Sequence, residues 1–369
     1  MKERIAKFHN QKGGKPEIEA SQVFVGSGTK PLLFSLQMVL DCDLLLPSPS
    51  WSSYSPQASL LNKKTHWIQT NFKENWKLTP KLLGSFLENH KTQFSENGKY
   101  VPPLLIINSP SNPIGNVYEE AELRELSKVL RENRVLVVSD EIYSDLYFGG
   151  KQGDECEGEC ASIQKEYGEG TIISNGISKF VGGGGYRVGY LILPKQLSLL
   201  AKVLSNVYSE THSVVSAPIQ FATISCYENY DIIKETYLKH CRRVLKVISK
   251  KMYSIFTEAG ISTLKCEGGF YFFLDFSNFE EKLRGRGVED SFQLCNSLLE
   301  EALVATLPGA NFGRPRQQLC LRLSFVDFDG RNVLHLLRSN PNASEQQILH
   351  LTQRCTIGAE KIVNWLKKN

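Results

Sequence analysis

The most informative stretch of this chain is Ser174-Asn175-Gly176-Ile177-Ser178-Lys179-Phe180-Val181-Gly182-Gly183-Gly184-Gly185-Tyr186-Arg187-Val188-Gly189-Tyr190. Lys179 comes just after an apolar run, four glycines follow it, and Arg187 lies eight residues further on. A lysine becomes a Schiff-base nucleophile where an apolar or cationic environment lowers its pKa, and an arginine binds phosphate through two parallel donors. Glycines let backbone approach a ligand closely. The stretch therefore predicts a site for covalent chemistry and anion binding, although a lone lysine in a loop is ordinarily just solvated.

Apolar runs alternate with helix-length amphipathic stretches on both sides of this segment, which is typical of a mostly parallel sheet with crossover helices. The expected strands are Val23–Val25, Leu44–Leu46, Leu104–Ile107, Val135–Val138, Thr171–Ser174 and Tyr190–Leu193. The expected helices between them are Lys30–Leu40, Pro80–Asn89, Glu119–Asn133 and Gln196–Glu210. In such α/β sheets, the loops after the strands form the crevice in which ligands bind.

A second lobe is expected after Ala217, where the pattern changes to a long helical region that runs to about Glu258. Its further elements are expected to be strands Phe270–Phe276 and Leu319–Phe325, a helix Asp290–Ala302 and a closing helix Glu345–Lys368. The length of 369 residues agrees with two lobes, because one hydrophobic core stops growing at roughly 250–300 residues.

Composition and charge exclude several classes of protein. Charged residues make up 22% of the chain, and 43 basic against 39 acidic residues leave a net charge of +4 without a basic block, so no nucleic-acid partner is expected. No apolar run approaches the length of a membrane span. Nine scattered cysteines are typical of buried thiols in a reducing compartment, so we expect a cytoplasmic protein. The close pair Cys156 and Cys160 alone makes a poor zinc site, and no metal is expected.

Two further motifs follow expected strands. Val25-Gly26-Ser27-Gly28-Thr29-Lys30 opens a helix, so its amides offer an anion site, although such a turn is as often purely structural. A dinucleotide fingerprint requires glycine where Pro31 stands. Asp140, in Ser139-Asp140-Glu141-Ile142-Tyr143, falls at a strand's carboxyl end on the floor of the crevice. The alternative for Asp140 is a simple helix cap.

Together these motifs resemble the class I/II aminotransferases, pyridoxal-phosphate enzymes of the aspartate aminotransferase fold. The resemblance also includes Ser109-Pro110-Ser111-Asn112-Pro113-Ile114-Gly115, Pro308-Gly309-Ala310-Asn311-Phe312-Gly313 and Leu321-Arg322-Leu323-Ser324-Phe325. It implies an α/β fold whose large cofactor-binding domain, over 17–230, has a mostly parallel seven-stranded sheet sandwiched by helices. A smaller α+β domain takes 231–369 together with 1–16.

The resemblance implies a role for each matching residue. Lys179 holds pyridoxal 5'-phosphate as a Schiff base and then moves the proton, and Asp140 pairs with the pyridine nitrogen. The other expected cofactor contacts are Tyr143 and Asn112 at the phenolic oxygen, Trp51 stacked on the ring, and Gly28, Thr29, Ser178 and Arg187 around the phosphate. Arg322 is expected to clamp the substrate α-carboxylate, and Lys30 to favour acidic substrates, unless Lys30 is merely solvated.

The implied activity is transfer of an amino group between an L-amino acid and a 2-oxo acid. A β-eliminating lyase and a catalytically impaired, aminotransferase-like binding protein are the alternatives on the same fold. A homodimer is expected, with residues 212–216 directed toward the other subunit's cofactor. Relatives carry a segment before the point matching Lys2, with a tyrosine that reaches the partner's phosphate, so we expect one fewer phosphate contact here. Gly176 stands where many relatives place a phosphate-binding serine.

Overall fold

A seven-stranded sheet forms the centre of the computed structural model, which describes residues 1–13, 17–96, 99–149 and 159–368. In chain order its strands are β1 Val23–Gly26, β2 Leu44–Ser48, β3 Thr65–Gln69, β4 Leu104–Asn108, β5 Leu136–Asp140, β6 Thr171–Gly176 and β7 Gly189–Ile192. They lie across the sheet in the order β1-β7-β6-β5-β4-β2-β3. The five neighbouring strands β3, β2, β4, β5 and β6 pair in parallel, whereas β7 runs antiparallel to both β6 and β1. The expected mostly parallel sheet of an α/β fold is confirmed.

The burial of these strands explains why most of them could be predicted. Strands β2, β4 and β6 are buried along their whole length, because a parallel sheet covered by helices needs apolar side chains on both faces. Strand β3 lies at an edge of the sheet, is mostly half-buried and mixes polar with apolar residues, so periodicity did not predict it. Asp140 ends β5, and Lys179 follows the neighbouring strand β6 by three residues. The parallel pairing therefore brings both residues to the same edge.

Helices cover the sheet and form most of the second half of the chain. They are α1 Lys2–Gln11, α2 Thr29–Val39, α3 Tyr54–Leu60, α4 Pro80–Asn89, α5 Glu120–Glu132, α6 Ile177–Phe180, α7 Ser198–Thr211, α8 Ala217–Glu228, α9 Tyr230–Ile233, α10 Lys239–Glu258, α11 Glu280–Gly285, α12 Ser291–Ala302, α13 Gly330–Ser339, α14 Glu345–Leu351 and α15 Gln353–Lys367. A π-helical turn, Lys234–Leu238, joins α9 to α10. Local sequence accounts for several starts: Thr79 caps α4 before Pro80, and Asp290 caps α12.

A second, three-stranded sheet belongs to the C-terminal part. Its strands β8 Tyr271–Asp275, β9 Leu307–Pro308 and β10 Cys320–Ser324 are antiparallel and lie in the order β8-β10-β9. The expected single closing helix was wrong, because α14 and α15 are separated at Thr352. This buried side chain donates its own hydroxyl hydrogen bond to the Ile348 carbonyl, 2.9 Å away. The hydrophobic periodicity runs through the break and does not reveal it.

The first helix packs on the large sheet and on the helices beside it. Phe8 contacts the rings of Tyr227 and Tyr230, and the His9 ring shares a hydrogen bond with the Tyr190 hydroxyl of β7. The assignment of 1–16 and 231–369 to one smaller domain stays a prediction. No helix in the described ranges is long and apolar enough to cross a membrane. Cys156 lies outside the described residues, and with it the cysteine pair considered above.

Candidate active site

Lys179 lies in the short helix α6, directly after β6. Its side chain is half-buried, and its amine nitrogen is 5.4 Å from the centre of the Tyr143 ring and 5.1 Å from that of Phe270. Burial lowers the pKa of Lys179, and the positive charges of Arg322 and Arg187 lower it further. The neutral amine, the form that attacks a carbonyl carbon or accepts a proton, is therefore more populated than in an exposed lysine.

Asp140 is a buried carboxylate at the end of β5, with 3% of its surface exposed. The Tyr54 hydroxyl donates a hydrogen bond to its Oδ2 over 2.5 Å, and the backbone N–H of Ile142 donates to its Oδ1 over 3.4 Å. Burial raises the pKa of Asp140 to about 6, and these two hydrogen bonds offset part of that shift. Within the described residues Asp140 has no ion-pair partner. A cation placed beside it would be strongly favoured, because a buried charge is stabilised chiefly by an opposite charge.

Arg322 projects from β10 toward the loop after β4. Its Nη1 donates to the Asn112 side-chain oxygen over 3.0 Å, and its guanidinium carbon lies 4.6 Å from the centre of the Tyr271 ring. Its Nε is buried and has no partner among the described residues. A buried donor without a partner is unfavourable in a finished site, so this N–H is available to a ligand. Tyr271 also shares a hydrogen bond of 2.9 Å with the Tyr143 hydroxyl.

The glycine turn after β1 lies against Arg187, which ends the loop before β7. Gly28 has a φ of 93°, and a Cβ at this position would clash with the Arg187 guanidinium. Arg187 donates from Nη1 to the Gly184 carbonyl over 2.8 Å and from Nη2 to the Ser27 carbonyl over 3.4 Å. Thr29 begins α2, whose first backbone N–H groups have no partner within the helix. The turn therefore combines the N–H groups at the start of α2, the positive end of that helix and an arginine.

A chain of contacts links Lys30 and Trp51 to Asp140. The Lys30 amine lies 5.1 Å from the centre of the Trp51 ring. Trp51 packs edge-on against Tyr54 with the ring centres 5.0 Å apart, and Tyr54 donates to Asp140. Ser178 is half-buried beside Lys179. The contacts thus join the predicted residues into neighbouring groups, while their individual roles stay predictions.

Comparison with known proteins identifies the family. The profile of aminotransferase class I and II matches residues 1–339, so the chain belongs to the class I and II aminotransferase family. An aspartate aminotransferase of Bacillus subtilis is 32% identical over 313 residues, covering 84% of this chain and 73% of that protein. A probable aspartate/prephenate aminotransferase of Aquifex aeolicus is 31% identical over 331 residues, covering 87% and 76%.

Solved structures agree with this assignment. The aspartate aminotransferase of Thermotoga maritima superposes with a TM-score of 0.71 at 25% identity, covering 100% of this chain and 81% of that one. A Thermus thermophilus aspartate aminotransferase variant superposes with a TM-score of 0.74 at 23% identity, which shows a shared fold. The chain is accordingly a pyridoxal-phosphate-dependent aminotransferase that acts on amino acids and 2-oxo acids.

The described residues fit pyridoxal 5'-phosphate in three respects. The buried carboxylate of Asp140 lacks a cation, which a protonated ring nitrogen supplies. The amine of Lys179 has a lowered pKa, as covalent attachment of an aldehyde requires. The glycine turn places the start of α2 directly beside the Arg187 guanidinium, so that backbone N–H groups and a cation lie together, as a phosphate requires.

The sequence did not point to three residues that the structure brings to this site. Tyr54 is the hydrogen-bond donor to Asp140, Phe270 packs near the Lys179 amine, and Tyr271 lies between Tyr143 and Arg322. Phe270 and Tyr271 belong to an aromatic stretch in which such side chains are ordinarily core, and Tyr54 lies in a serine-rich segment without a recognisable pattern. Only their positions next to motif residues, Tyr54 three residues after Trp51 for example, could have drawn attention to them.

Replacing Asp140 by asparagine should stabilise the cofactor-free protein at neutral and alkaline pH. The folded state holds the Asp140 proton up to a pKa of about 6, whereas the ordinary value is 3.8. This carboxylate therefore lowers stability progressively as pH rises from about 4 to 6, by on the order of 3 kcal/mol. Urea unfolding at several pH values should show Asp140→Asn above wild type at pH 8, with the difference vanishing near pH 4.

Asp145→Asn is a control of opposite sign. Asp145 is also buried, but the Lys12 charge, hydrogen bonds from Tyr230 and Lys12, and the Arg242 charge outweigh burial and lower its pKa. Its replacement should therefore destabilise the protein at pH 8, and the loss should shrink as pH falls below the ordinary aspartate range. A loss of stability at pH 8 in Asp140→Asn as well would contradict the unpaired state described for Asp140.

Proposed function

We propose that the residues around Lys179 form the catalytic site for transamination and that dicarboxylic amino acids are its preferred donors. The observation that carries the proposal is the grouping around Tyr143: the Lys179 amine lies 5.4 Å from its ring, and the charges of Asp140 and Arg322 both act on its hydroxyl. Lys179 has a lowered pKa, and Asp140 is a buried carboxylate without a cation among the described residues. Pyridoxal 5'-phosphate, when bound, supplies an electron sink for the negative charge that develops at the substrate α-carbon. The relatives' names, aspartate aminotransferase among them, support the donor class.

Lys179 is proposed to act twice in the reaction. Its neutral amine would hold the cofactor covalently until the amino group of the substrate takes its place. The amine released in that exchange would then be free to take the proton from the substrate α-carbon. Both tasks require an unprotonated amine near neutral pH, and the burial and cationic neighbours of Lys179 favour that form. Tyr143 and Phe270 pack around the amine and limit its contact with water.

Asp140 is proposed to hold the proton on the cofactor's ring nitrogen. At pH 7 a carboxyl group with a pKa of about 6 is mostly ionised, and a cation beside it lowers that pKa further. Tyr54 fixes the carboxylate through a hydrogen bond of 2.5 Å, so that the charge is oriented before the cofactor binds. Trp51, packed on Tyr54, is proposed to stack on the ring.

The remaining contacts are divided between cofactor and substrate. The amides of Gly28 and Thr29, with Ser178 and Arg187, are proposed to bind the phosphate, and Asn112 and Tyr143 the phenolic oxygen. Arg322 is proposed to bind the substrate α-carboxylate, because its buried Nε lacks a partner and its Nη1 is already held by Asn112. Such a clamp fixes the α-carbon relative to Lys179.

Lys30 is proposed to bind the distal carboxylate of a dicarboxylic donor. It is the second residue of α2, directly after the proposed phosphate turn, and its amine lies over the Trp51 ring. The amine is therefore held near the proposed stacking face while remaining exposed to an incoming anion. A distal carboxylate beside it would gain a charge-assisted hydrogen bond.

The first prediction from this proposal concerns Lys179→Ala. Without this amine the protein should lose the absorbance band of covalently bound cofactor and about a hundred- to ten-thousandfold in turnover, because a positioned proton-transfer group contributes roughly 10²–10⁴-fold. Lys195→Ala is the matched control, since Lys195 is an exposed lysine paired with Glu19 over 2.6 Å. Retention of the covalent band in Lys179→Ala, measured by absorbance after gel filtration, would refute the assignment.

The second prediction separates the two substrate carboxylates. Arg322→Lys should raise the KM of aspartate, glutamate and alanine alike, by roughly ten- to a hundredfold, because an ammonium cannot replace a planar two-point donor. Lys30→Ala should raise the KM of aspartate and glutamate by roughly three- to tenfold and leave that of alanine unchanged. Equal changes for all donors in Lys30→Ala, measured with 2-oxoglutarate as acceptor, would show that Lys30 does not select dicarboxylates.

The third prediction concerns a homodimer through the face that includes residues 212–216. Val214 and Phe221 are each 73% exposed, and the segment before them packs by His212 against Gly26 of the phosphate turn. Exposed apolar side chains beside a proposed site favour an interface between copies of the chain. Val214→Asp with Phe221→Asp should give a monomer in light scattering and weaken cofactor binding.

Leu303→Asp is the control for this test. Leu303 is 75% exposed and follows α12 in the C-terminal part, so the added charge is comparable. Its left-handed backbone, with φ of 58°, also tolerates aspartate. A monomeric wild-type protein, or equal dissociation by Leu303→Asp, would overturn the proposed interface.

A further inference from the structure

Tyr271 lies between the residue proposed to bind the substrate carboxylate and one proposed to bind the cofactor. It begins β8 and is 7% exposed. In the antiparallel pairing of β8 with β10, Phe273 lies opposite Arg322, so Tyr271 is the diagonal neighbour of Arg322 on the same face of the sheet. The register therefore places the Tyr271 ring beside the guanidinium.

The ring of Tyr271 supports the guanidinium of Arg322. The guanidinium carbon lies 4.6 Å from the ring centre, within the range of a cation–π contact. On another side Asn112 accepts the hydrogen bond from Nη1. These two contacts leave little freedom to the guanidinium plane, while Nε remains without a partner. The plane of the carboxylate clamp is thus set before a substrate arrives.

The hydroxyl of Tyr271 has a second task. It shares a hydrogen bond of 2.9 Å with the Tyr143 hydroxyl, and either oxygen could be the donor. A hydroxyl has one proton to donate. If Tyr143 donates its proton to the cofactor's phenolic oxygen, Tyr143 must be the acceptor in this pair and Tyr271 the donor. A hydroxyl that accepts one hydrogen bond is polarised and becomes a stronger donor in the next.

We propose that Tyr271 is a positioning residue that joins the two halves of the site, its ring orienting the Arg322 clamp and its hydroxyl donating to Tyr143 so that Tyr143 donates toward the cofactor. The inference rests on the roles proposed above for Arg322 and Tyr143. It assigns different tasks to the hydroxyl and to the ring of Tyr271, and each task can be measured separately. The hydroxyl acts on the cofactor, and the ring acts on the carboxylate.

Two substitutions test the two parts in the cofactor-loaded protein. Tyr271→Phe removes the hydroxyl and keeps the ring, whereas Tyr271→Leu removes both. The first readout is the pH midpoint of the bound cofactor's absorbance change without substrate, which reports how strongly the deprotonated form is stabilised. The second is the Kd of maleate, an unreactive dicarboxylate, measured by its effect on the same spectrum. Neither readout depends on turnover.

Tyr271→Phe should raise the absorbance midpoint by roughly half to one pH unit, because a hydrogen bond to the deprotonated form is weakened. It should leave the maleate Kd within about twofold, because the ring remains. Tyr271→Leu should shift the midpoint similarly and also weaken maleate binding by roughly three- to thirtyfold.

Tyr118→Phe is the matched control. Tyr118 is 8% exposed and its hydroxyl accepts a hydrogen bond of 2.8 Å from the Leu78 N–H, so its replacement also removes a buried tyrosine hydroxyl. Both readouts should keep their wild-type values in this variant. A midpoint shift in Tyr118→Phe equal to that in Tyr271→Phe would mean that loss of any buried tyrosine hydroxyl has this effect, and it would overturn the inference.

Two further variants distinguish failure of this inference from failure of the proposed function. Tyr143→Phe should shift the midpoint, and Arg322→Lys should weaken maleate binding. If both do so while Tyr271→Phe leaves the midpoint unchanged and Tyr271→Leu leaves the maleate Kd unchanged, Tyr271 positions neither group. If Tyr143→Phe leaves the midpoint unchanged, the role proposed for Tyr143 is wrong, and the hydroxyl part of the inference falls with it.

Discussion

Three pieces of backbone meet at the carboxyl edge of the large sheet with no side chains between them, and the placement of both Lys179 and Arg187 depends on that contact. A Cβ on Gly189 would clash with the backbone nitrogen of Thr29, and a Cβ on Gly176 would lie 2.5 Å from the carbonyl oxygen of the residue before Gly189. The antiparallel strand β7 can therefore lie this close to its neighbours only because position 189 in β7 and position 176 in β6 are both glycine. This close approach brings the helix that carries Lys179, the loop that ends in Arg187 and the amides of the glycine turn within one small region. A side chain at position 176 would push the two strands apart.

Charge completes what the backbone arranges. Asp140 is buried without a cation among the described residues, while Lys179 is held near the positive charges of Arg322 and Arg187. The charged form of each group is unfavourable by itself, because burial raises the pKa of the Asp140 carboxyl group and lowers that of the Lys179 amine. A ligand with a cationic ring nitrogen and an anionic phosphate relieves both. Cofactor binding should therefore offset the free energy that burial of these two groups costs the folded protein. The same burial gives the amine and the carboxylate the pKa values that their proposed tasks require.

The C-terminal part contributes to the site through a backbone connection as well as through Arg322. Glu267 accepts hydrogen bonds at its carbonyl oxygen from the N–H groups of Phe148 and Gly149, over 2.8 and 2.7 Å, and its own N–H donates to the Gly115 carbonyl over 2.8 Å. This segment lies only a few residues before Tyr271. The smaller sheet is therefore attached to the loops after β4 and β5 immediately beside the residues that it adds to the site. Such an attachment keeps Arg322, the proposed carboxylate clamp, in register with Lys179.

The sequence by itself determined the alternation of strands and helices, the parallel character of the sheet and the positions of Asp140 and Lys179 at strand ends, because fully buried strands are apolar along their length and polar residues that follow them are conspicuous. It did not reveal the edge strand Thr65–Gln69, which is half-buried and has no such pattern. Only the tertiary structure decided which aromatic residues serve the site. Tyr54 reaches Asp140 across 86 positions of the chain and Tyr271 reaches Tyr143 across 128, and neither contact has a local signature. An aromatic residue in an apolar stretch has the same pattern whether its hydroxyl is bonded to a catalytic group or lies elsewhere in the core, since periodicity encodes burial and the partner is chosen by the packing of distant strands.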